Sequence, residues 1–162
     1  MEILAHPNPA LKQGAAEVDP TTDDTIKSLV KTMAHAMYDA PGIGLAAPQI
    51  GVLKRVIVYD LDDQLVALCN PRIVDASEEI EIDEEGCLSV PGITVDVPRS
   101  VEVTCEALDL QGRPVTITAE GLYARLLQHE IDHLNGTLIL DRALPEERKA
   151  ALRRYNEFAD AG

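Results

Sequence analysis

The chain has 162 residues, which is the length of one domain, and 46% of them are hydrophobic, as in an ordinary globular protein. Its formal net charge of −14 argues against binding through the phosphates of nucleic acids. We recognise no apolar stretch of membrane length and no signal or transit peptide, so we expect a cytoplasmic protein without a membrane partner.

The first predicted element is a helix over residues 23–40, where apolar side chains recur at helical spacing. These side chains are Ile26, Leu29, Val30, Met33 and Met37. Asp23 or Asp24 is expected to begin the helix, and the Pro41-Gly42 pair is expected to end it.

The middle of the chain is rich in predicted strands, because six segments alternate or run apolar at strand length. They cover residues 55–61, 65–74, 79–84, 93–98, 100–110 and 114–120. Two further helices are predicted, at 121–135 before Gly136 and at 145–159. The order of one helix, many strands and two helices lacks regular βαβ alternation, so it predicts a single α+β domain over residues 1–162.

The three cysteines are Cys69, Cys87 and Cys105. An odd and sparse count in a chain expected in the cytoplasm argues against a disulfide framework. Cys69 and Cys105 lie inside predicted strands, so we expect them to be small buried hydrophobes. Cys87 lies between a predicted strand and a glycine-containing turn, which sets it apart from the other two.

The segment "QHEIDHLNG" places His129 and His133 one turn apart on the same face of a predicted helix. Leu122 and Leu126 lie on the same face of this helix, so we expect the histidines and these leucines to point toward the core. Glu130 lies on the flank of that face. This H-E-x-x-H pattern can hold one metal ion and place a carboxylate near a water molecule. The pattern is only moderately specific, because a helix can also carry two histidines within a core.

A catalytic metal would need a third protein ligand, which could lie on either side of this segment. After the second histidine, the chain has no further histidine or cysteine, and the available carboxylates are Asp141, Glu146, Glu147, Glu157 and Asp160. Before it, Cys87 in "EEGCLSVPG" stands near Gly86 and Gly92, which allow a close approach of the backbone. A Cys-His-His set would leave one position open for water; a cysteine buried in a turn is the ordinary alternative.

The segment "GIGLAAPQIG" at residues 42–51 combines glycines, small alanines and a proline around one polar side chain, Gln49. A loop packed on the core is the ordinary interpretation. The functional interpretation is a narrow wall beside a substrate, with Gln49 as an amide donor. A phosphate-binding loop is not favoured, because the full dinucleotide pattern and its preceding strand are missing.

Three stretches in this order, "GIGLAAPQ", "EGCLS" and "HEIDH", closely resemble the three signatures of the peptide deformylase family. The resemblance covers about residues 1–140, and the last helix is generic. It implies an α+β fold of small, mostly antiparallel sheets around the helix that carries the H-E-x-x-H motif, with an N-terminal and a C-terminal helix. It also implies roles: Cys87, His129 and His133 as metal ligands, Glu130 as acid and base, Gln49 and the N–H of Leu88 as donors to an oxyanion, and Gly44 beside the substrate backbone.

The family removes the formyl group from N-formylmethionine at the start of new polypeptides, so the resemblance implies a metal-dependent hydrolase that releases formate. It implies one divalent metal ion, with Fe²⁺ preferred and Zn²⁺ or Ni²⁺ as replacements. The expected partner is the nascent formyl-methionine polypeptide at the ribosome exit. Another small metal-dependent amidase or peptidase is the alternative. A domain with a purely structural metal is disfavoured, since structural sites usually have four protein ligands and no free base.

Further side chains are expected around the metal. The apolar side chain of the substrate methionine should enter a pocket lined partly by Ile43, Leu122 and Leu126, because the two leucines share the histidine face. Asp132 lies on the other flank of the helix from the glutamate. It should pair with an arginine and hold the helix in register, and Arg99 in "VPRS" is the candidate.

Overall fold

Seven antiparallel strands form two sheets in the computed structural model, which describes residues 2–161 of the chain. The strands are β1 (Gly44–Ala46), β2 (Val56–Asp60), β3 (Leu65–Ala76), β4 (Ile80–Cys87), β5 (Val90–Ser100), β6 (Glu102–Leu108) and β7 (Pro114–Glu120). One sheet has the order β1-β2-β3-β6-β7, and the other pairs β4 with β5. The pairings between these strands are all antiparallel.

Four α-helices accompany the sheets within the described residues: α1 (Ile26–Asp39), α2 (Gly121–Leu134), α3 (Ile139–Arg142) and α4 (Pro145–Ala161). Short 3₁₀ helices cover Pro9–Lys12 and Ala47–Ile50. Helices and antiparallel sheets together confirm the predicted α+β class. Between residues 2 and 161, no helix is long and apolar enough to cross a membrane.

The observed elements differ from the predicted ones mainly at their ends and where they are short. Helix α1 begins at Ile26 rather than at Asp23 or Asp24, because the Asp23 carboxylate accepts bonds from the N–H and hydroxyl of Thr25 in a turn ahead of the helix. The segment expected to be a loop contains β1, which is three residues long and pairs with β2. So short a strand has no periodicity to detect, and its pairing depends on residues distant in sequence.

Strand β2 is buried on both faces, between α1 and α2. Side chains alternate along a strand, so Ile57 and Tyr59 join the hydrophobic cluster of α2, while Val56 and Val58 join that of α1. The residues that α2 contributes are Ala124, Leu126, Leu127, Ile131 and Leu134. Helix α2 also contacts β5 of the second sheet, and it therefore connects the two sheets.

A third hydrophobic cluster packs the β4–β5 hairpin against α3 and α4. Val95 and Val97 of β5 contribute to it, together with Ile139 of α3 and Tyr155 of α4. Cys87, the last residue of β4, packs against this cluster. The packing of two helices on the hairpin therefore fixes the end of β4, which is one of the segments singled out in the sequence.

Cys69 and Cys105 are fully buried, as predicted. They belong to different hydrophobic clusters, and both are free thiols. Burial raises the pKa of each thiol to about 11, because the thiolate would lose its hydration. Both side chains therefore remain protonated near neutral pH and act as small apolar residues.

Gly136, just after α2, is predicted to be essential for stability. Its φ is +74°, and a Cβ at this position would lie 2.5 Å from the carbonyl oxygen of Lys12. A non-glycine residue in such a conformation costs about 1–3 kcal/mol, and the backbone contact adds to that cost. We expect Gly136→Ala to lower the free energy of unfolding by at least about 2 kcal/mol, measured by urea denaturation.

Gly121→Ala is the matched control for this prediction. Its φ of +60° imposes similar backbone strain, but a Cβ there meets nothing within 4 Å. It should therefore lose less stability than Gly136→Ala. Equal losses in the two variants would show that the approach of Lys12 to Gly136 has no energetic role.

Candidate metal centre

Cys87, His129 and His133 come together where the end of β4 meets α2. Each offers one ligand atom, and these atoms all lie within 4.8 Å of one another. The Sγ atom of Cys87 is 3.4 Å from Nε2 of His133, and the two imidazole centroids are 5.1 Å apart. One sulfur and two imidazole nitrogens form a donor set typical of zinc and of other divalent transition metals.

Local structure brings the three side chains to this point. His129 and His133 are one turn apart on α2, as the helical period requires. The register of the β4–β5 ladder shifts between Gly86 and Cys87, so the strand is irregular where the cysteine is presented. Such irregularities turn a side chain away from the regular alternation of a strand, and they are frequent next to active sites.

His129 is oriented by Glu85, a residue for which the sequence analysis predicted no role. Its Nδ1 lies 3.0 Å from Oε1 of Glu85, which leaves the other ring nitrogen for a metal. Burial tends to raise the pKa of Glu85, but bonds from His129 and Arg99 outweigh it and lower the pKa to about 2. Spacing gave no signal for this role, because the register shift between Gly86 and Cys87 breaks the alternation that would place Glu85 and Cys87 on one face.

The predicted pair of Arg99 and Asp132 is present, with Nη1 of Arg99 2.6 Å from Oδ2 of Asp132. Arg99 also donates from Nε and Nη2 to the two oxygens of Glu85, at 2.9 and 3.0 Å. Arg142 and Arg125 complete the network, binding Asp132 and Glu85 respectively. Neither of these two arginines was anticipated from the sequence.

Glu130 is buried beside the histidines. Within the described part of the chain, its Oε1 atom has no hydrogen-bond partner, although it is shielded from solvent. Burial raises the pKa of this carboxyl group to about 7, partly offset by the charge of His129. A buried carboxyl group without a partner is costly to the fold, and such groups are common where they act on a ligand.

Gly44 of β1 packs directly on this carboxyl group. A Cβ at residue 44 would lie 2.6 Å from Oε2 of Glu130, so a larger residue there would require the Glu130 side chain to shift. At the neighbouring Gly42, a Cβ would lie 2.7 Å from Cδ1 of Leu88. The segment 42–44 therefore forms a close wall against both the carboxyl group and the residue that follows Cys87.

The charges at the centre suit a cation. Burial and the positive charge of His129 and Arg99 lower the pKa of His133 well below its usual range, which keeps it in the neutral form that binds metals. Burial also tends to lower the pKa of His129. The charge of Glu130 and the contacts with Cys87 and Glu85 outweigh it, and they raise this pKa well above its usual range. The same negative charge that stabilises a proton on His129 would stabilise a metal cation at this position.

Gln49 is held rigidly next to the cysteine. Its Oε1 accepts from the N–H of Ala46 at 3.0 Å, and its Nε2 donates to Oγ of Ser89 at 3.0 Å. Nε2 also lies 3.8 Å from Sγ of Cys87. These contacts fix the amide so that its N–H₂ group faces Cys87 and Ser89. Ser89 is a further site residue that the sequence analysis missed.

A cavity of about 710 Å³ opens onto this group of residues. The proposed ligand, catalytic and substrate-binding residues all line it except His133, which lies deeper and is 1% exposed. The others are Ile43, Gly44, Gln49, Cys87, Leu88, Leu122, Leu126, His129 and Glu130. Leu126 is buried, but the expectation that Leu122 faces the core is wrong. Leu122 is 62% exposed, because the first turn of α2 borders the cavity and not the core.

Comparison with known proteins places these features in one family. A family model described as polypeptide deformylase matches residues 1–149. The chain is 51% identical to a peptide deformylase of Natranaerobius thermophilus, over 88% of this chain and 91% of that one. It is 48% identical to a peptide deformylase of Prochlorococcus marinus, over 91% and 74% of the two chains. The crystal structure of a peptide deformylase from Legionella pneumophila has a TM-score of 0.91 and 44% identity, over 99% and 95% of the two chains.

Replacement of Cys87 is predicted to reduce metal binding, whereas replacement of Cys105 is not. We expect Cys87→Ala to lose most of the bound divalent metal, because two imidazoles bind far more weakly than a thiolate and two imidazoles. The measurement is the ratio of metal to protein after gel filtration in a metal-free buffer. Cys105→Ala is the control, since its thiol is buried in the core, and it should keep its metal. Full retention of tightly bound metal in Cys87→Ala would rule out Cys87 as a ligand.

Proposed function

The chain belongs to the polypeptide deformylase family, and we propose that it binds its metal ion through Cys87, His129 and His133. Like the peptide deformylases that it matches, it is a hydrolase that removes the formyl group from the N-terminal methionine of nascent polypeptides. The observation that carries our proposal for the mechanism is the buried carboxyl group of Glu130 beside these three residues.

The metal that we propose is Fe²⁺, with Zn²⁺ or Ni²⁺ as replacements. When bound, a divalent metal ion lowers the pKa of water and polarises a carbonyl group, and amide hydrolysis needs both effects. The thiolate of Cys87 is a softer donor than a carboxylate and gives more charge to the ion. That donation is compatible with ferrous iron, which the resemblance to the family favours over zinc.

Glu130 is the acid and base of the proposed mechanism. Its carboxylate takes a proton from the attacking water and later delivers that proton to the leaving amine, steps worth about 10²–10⁴-fold in rate. A pKa raised by burial suits both roles, because the group can accept and release a proton near neutral pH. The Gly44 backbone packs close to Oε2 and limits the space open to the carboxyl group.

Gln49 and the backbone N–H of Leu88 are the proposed donors to the oxyanion that forms from the formyl oxygen. The amide of Gln49 is fixed by Ala46 and Ser89, so it loses little freedom when it donates to the transition state. One donor of this kind contributes about 10²–10³-fold to the rate. The short distance from Nε2 of Gln49 to Cys87 supports a position beside the metal.

The substrate is proposed to bind along the wall at residues 42–44. Gly44 lies beside the substrate backbone, and the methionine side chain enters a pocket formed partly by Ile43, Leu122 and Leu126. Ile43 and Leu122 are both about half exposed or more, so apolar surface is available for an apolar side chain. Because the methionine side chain would cover this apolar surface, a substrate that begins with methionine binds better than one that begins with a polar residue.

Several wider features belong to the same proposal. We propose that the small sheets serve as a scaffold around α2, the helix that carries both histidines. We also propose that one domain spans residues 1–162 and acts in the cytoplasm, on formyl-methionine polypeptides as they leave the ribosome.

Release of formate from formyl-Met-Ala-Ser, by protein purified without oxygen and analysed for metal, tests the activity and the metal together. A small peptidase would instead cleave internal peptide bonds.

Glu130→Gln is predicted to separate catalysis from metal binding. The amide is nearly the same size as the carboxyl group but cannot accept the proton, so kcat should fall by about a hundredfold or more. Metal content and the thermal unfolding temperature should change little. Glu102→Gln is the control, because it makes the same replacement on an exposed residue of β6. Loss of metal from Glu130→Gln, or a near-normal kcat, would refute the assigned role.

Formyl-methionine peptides are predicted to be hydrolysed at least about a hundredfold faster than acetyl-methionine peptides, compared by kcat/KM. A soft pocket would discriminate one methyl group by only ~1–3 kcal/mol. The close wall of Gly42, Ile43 and Gly44 is backbone and yields less than side chains do, so we expect the methyl group to displace the carbonyl from its donors. The penalty then falls on the transition state. Comparable rates on the two peptides would favour a general metal-dependent amidase.

A further inference from the structure

A second cavity lies against a different face of α2 from the metal centre. Its volume is about 500 Å³. The residues of α2 that line it are Gln128, Ile131 and Asp132. Those that line the catalytic cavity are Leu122, Arg125, Leu126, His129 and Glu130. At about 100° per residue these two sets face different directions, so the cavities are separate sites.

Arginine side chains are concentrated in this second cavity, although the chain as a whole carries a net charge of −14. Four arginines line it: Arg55, Arg72, Arg99 and Arg142. Acids pair with three of them: Glu106 with Arg72, Glu85 and Asp132 with Arg99, and Asp132 with Arg142. Among the described residues of its lining, Asp132 is the one acid. Guanidinium groups bind oxyanions through forked pairs of hydrogen bonds, so a cluster of them in a cavity favours an anionic ligand.

Two of the arginines can engage a ligand with little loss of existing interactions. Arg55 donates to neutral acceptors, the carbonyl oxygen of Leu134 at 3.1 Å and Oδ1 of Asn135 at 3.0 Å. Arg72 pairs with Glu106 at 2.8 Å, but its side chain is 72% exposed. An exposed ion pair contributes at most about 1 kcal/mol and exchanges readily with another anion. Arg99, in contrast, is fully committed to buried carboxylates.

We propose that this cavity binds a small phosphate ester, with Arg55 and Arg72 as donors to the phosphate. A phosphate monoester carries nearly two negative charges at neutral pH and three acceptor oxygens, which suit more than one guanidinium. Ile73, Pro98 and Ile131 also line the cavity, so the organic part of the ester has apolar surface to cover. Neither Arg55 nor Arg72 has a part in the proposed mechanism of formyl-peptide hydrolysis.

The test uses phenyl phosphate and the metal-loaded full chain, with titration calorimetry at constant ionic strength. Arg72→Gln should weaken binding by about three- to tenfold, because it removes one charged donor. Glu106→Gln should strengthen binding by a similar factor, because it removes the acid that competes for Arg72. Both variants lose the ion pair between Arg72 and Glu106. If this pair had only a structural role, its loss would change binding in the same direction in both variants.

Matched controls come from the exposed pair of Arg113 and Asp109, which are 3.0 Å apart and do not line the cavity. Arg113→Gln and Asp109→Asn make the same two changes of charge, and each should alter binding by less than about twofold at constant ionic strength. Phenol, which lacks the phosphate, should bind at least about tenfold more weakly than phenyl phosphate.

Opposite shifts in Arg72→Gln and Glu106→Gln, with small shifts in the two controls, would establish the site. The proposal fails if the two variants shift binding in the same direction, or no more than the controls do. It also fails if phenyl phosphate binds with no measurable affinity at millimolar concentration. Binding that is unchanged in every variant would place the phosphate elsewhere, such as at the metal centre, and would equally overturn it.

Discussion

The arrangement of the metal centre depends on one buried guanidinium group. Arg99 of β5 is 5% exposed and binds Glu85 of β4 and Asp132 of α2. A charge removed from water in this way requires its partners, and loss of one member of a buried pair costs about 3–5 kcal/mol. Because Glu85 orients His129, and Glu85 shares β4 with Cys87, the Arg99 contacts align the helix with the strand. The spacing between the ligands follows from that alignment.

The position of Glu130 depends on a different constraint, which is steric. Its carboxyl group lies so close to Gly44 that a Cβ there would be 2.6 Å from Oε2. The strand β1 that carries Gly44 is held by β2, and β2 is packed on α2 through Ile57 and Tyr59. The wall at residues 42–44 and the position of the Glu130 carboxyl group are therefore set by the same packing. A change in either one would alter both.

The acidic character of the centre and the basic character of its surroundings balance each other. Glu85 and Asp132 are compensated by arginines, whereas Glu130 and Cys87 are not paired with one in the described part of the chain. A divalent cation bound by the thiolate and two imidazoles would supply the missing positive charge. The fold thus separates charges that stabilise the scaffold from charges that, in the proposed function, act on the metal and the substrate.

The sequence alone determined the features that depend on local periodicity and on recognisable motifs. The turn of α2 brings His129 and His133 together whatever surrounds them, and the α+β class followed from the order of elements. The role proposed for Cys87 was supported chiefly by the resemblance to a family, because 41 residues lie between it and His129. Only the tertiary structure decided that Glu85, Ser89, Arg125 and Arg142 join the site, and that Leu122 borders the cavity. Hydrogen bonds and close contacts between distant segments depend on how strands and helices pack in space, and spacing along the chain does not encode that packing.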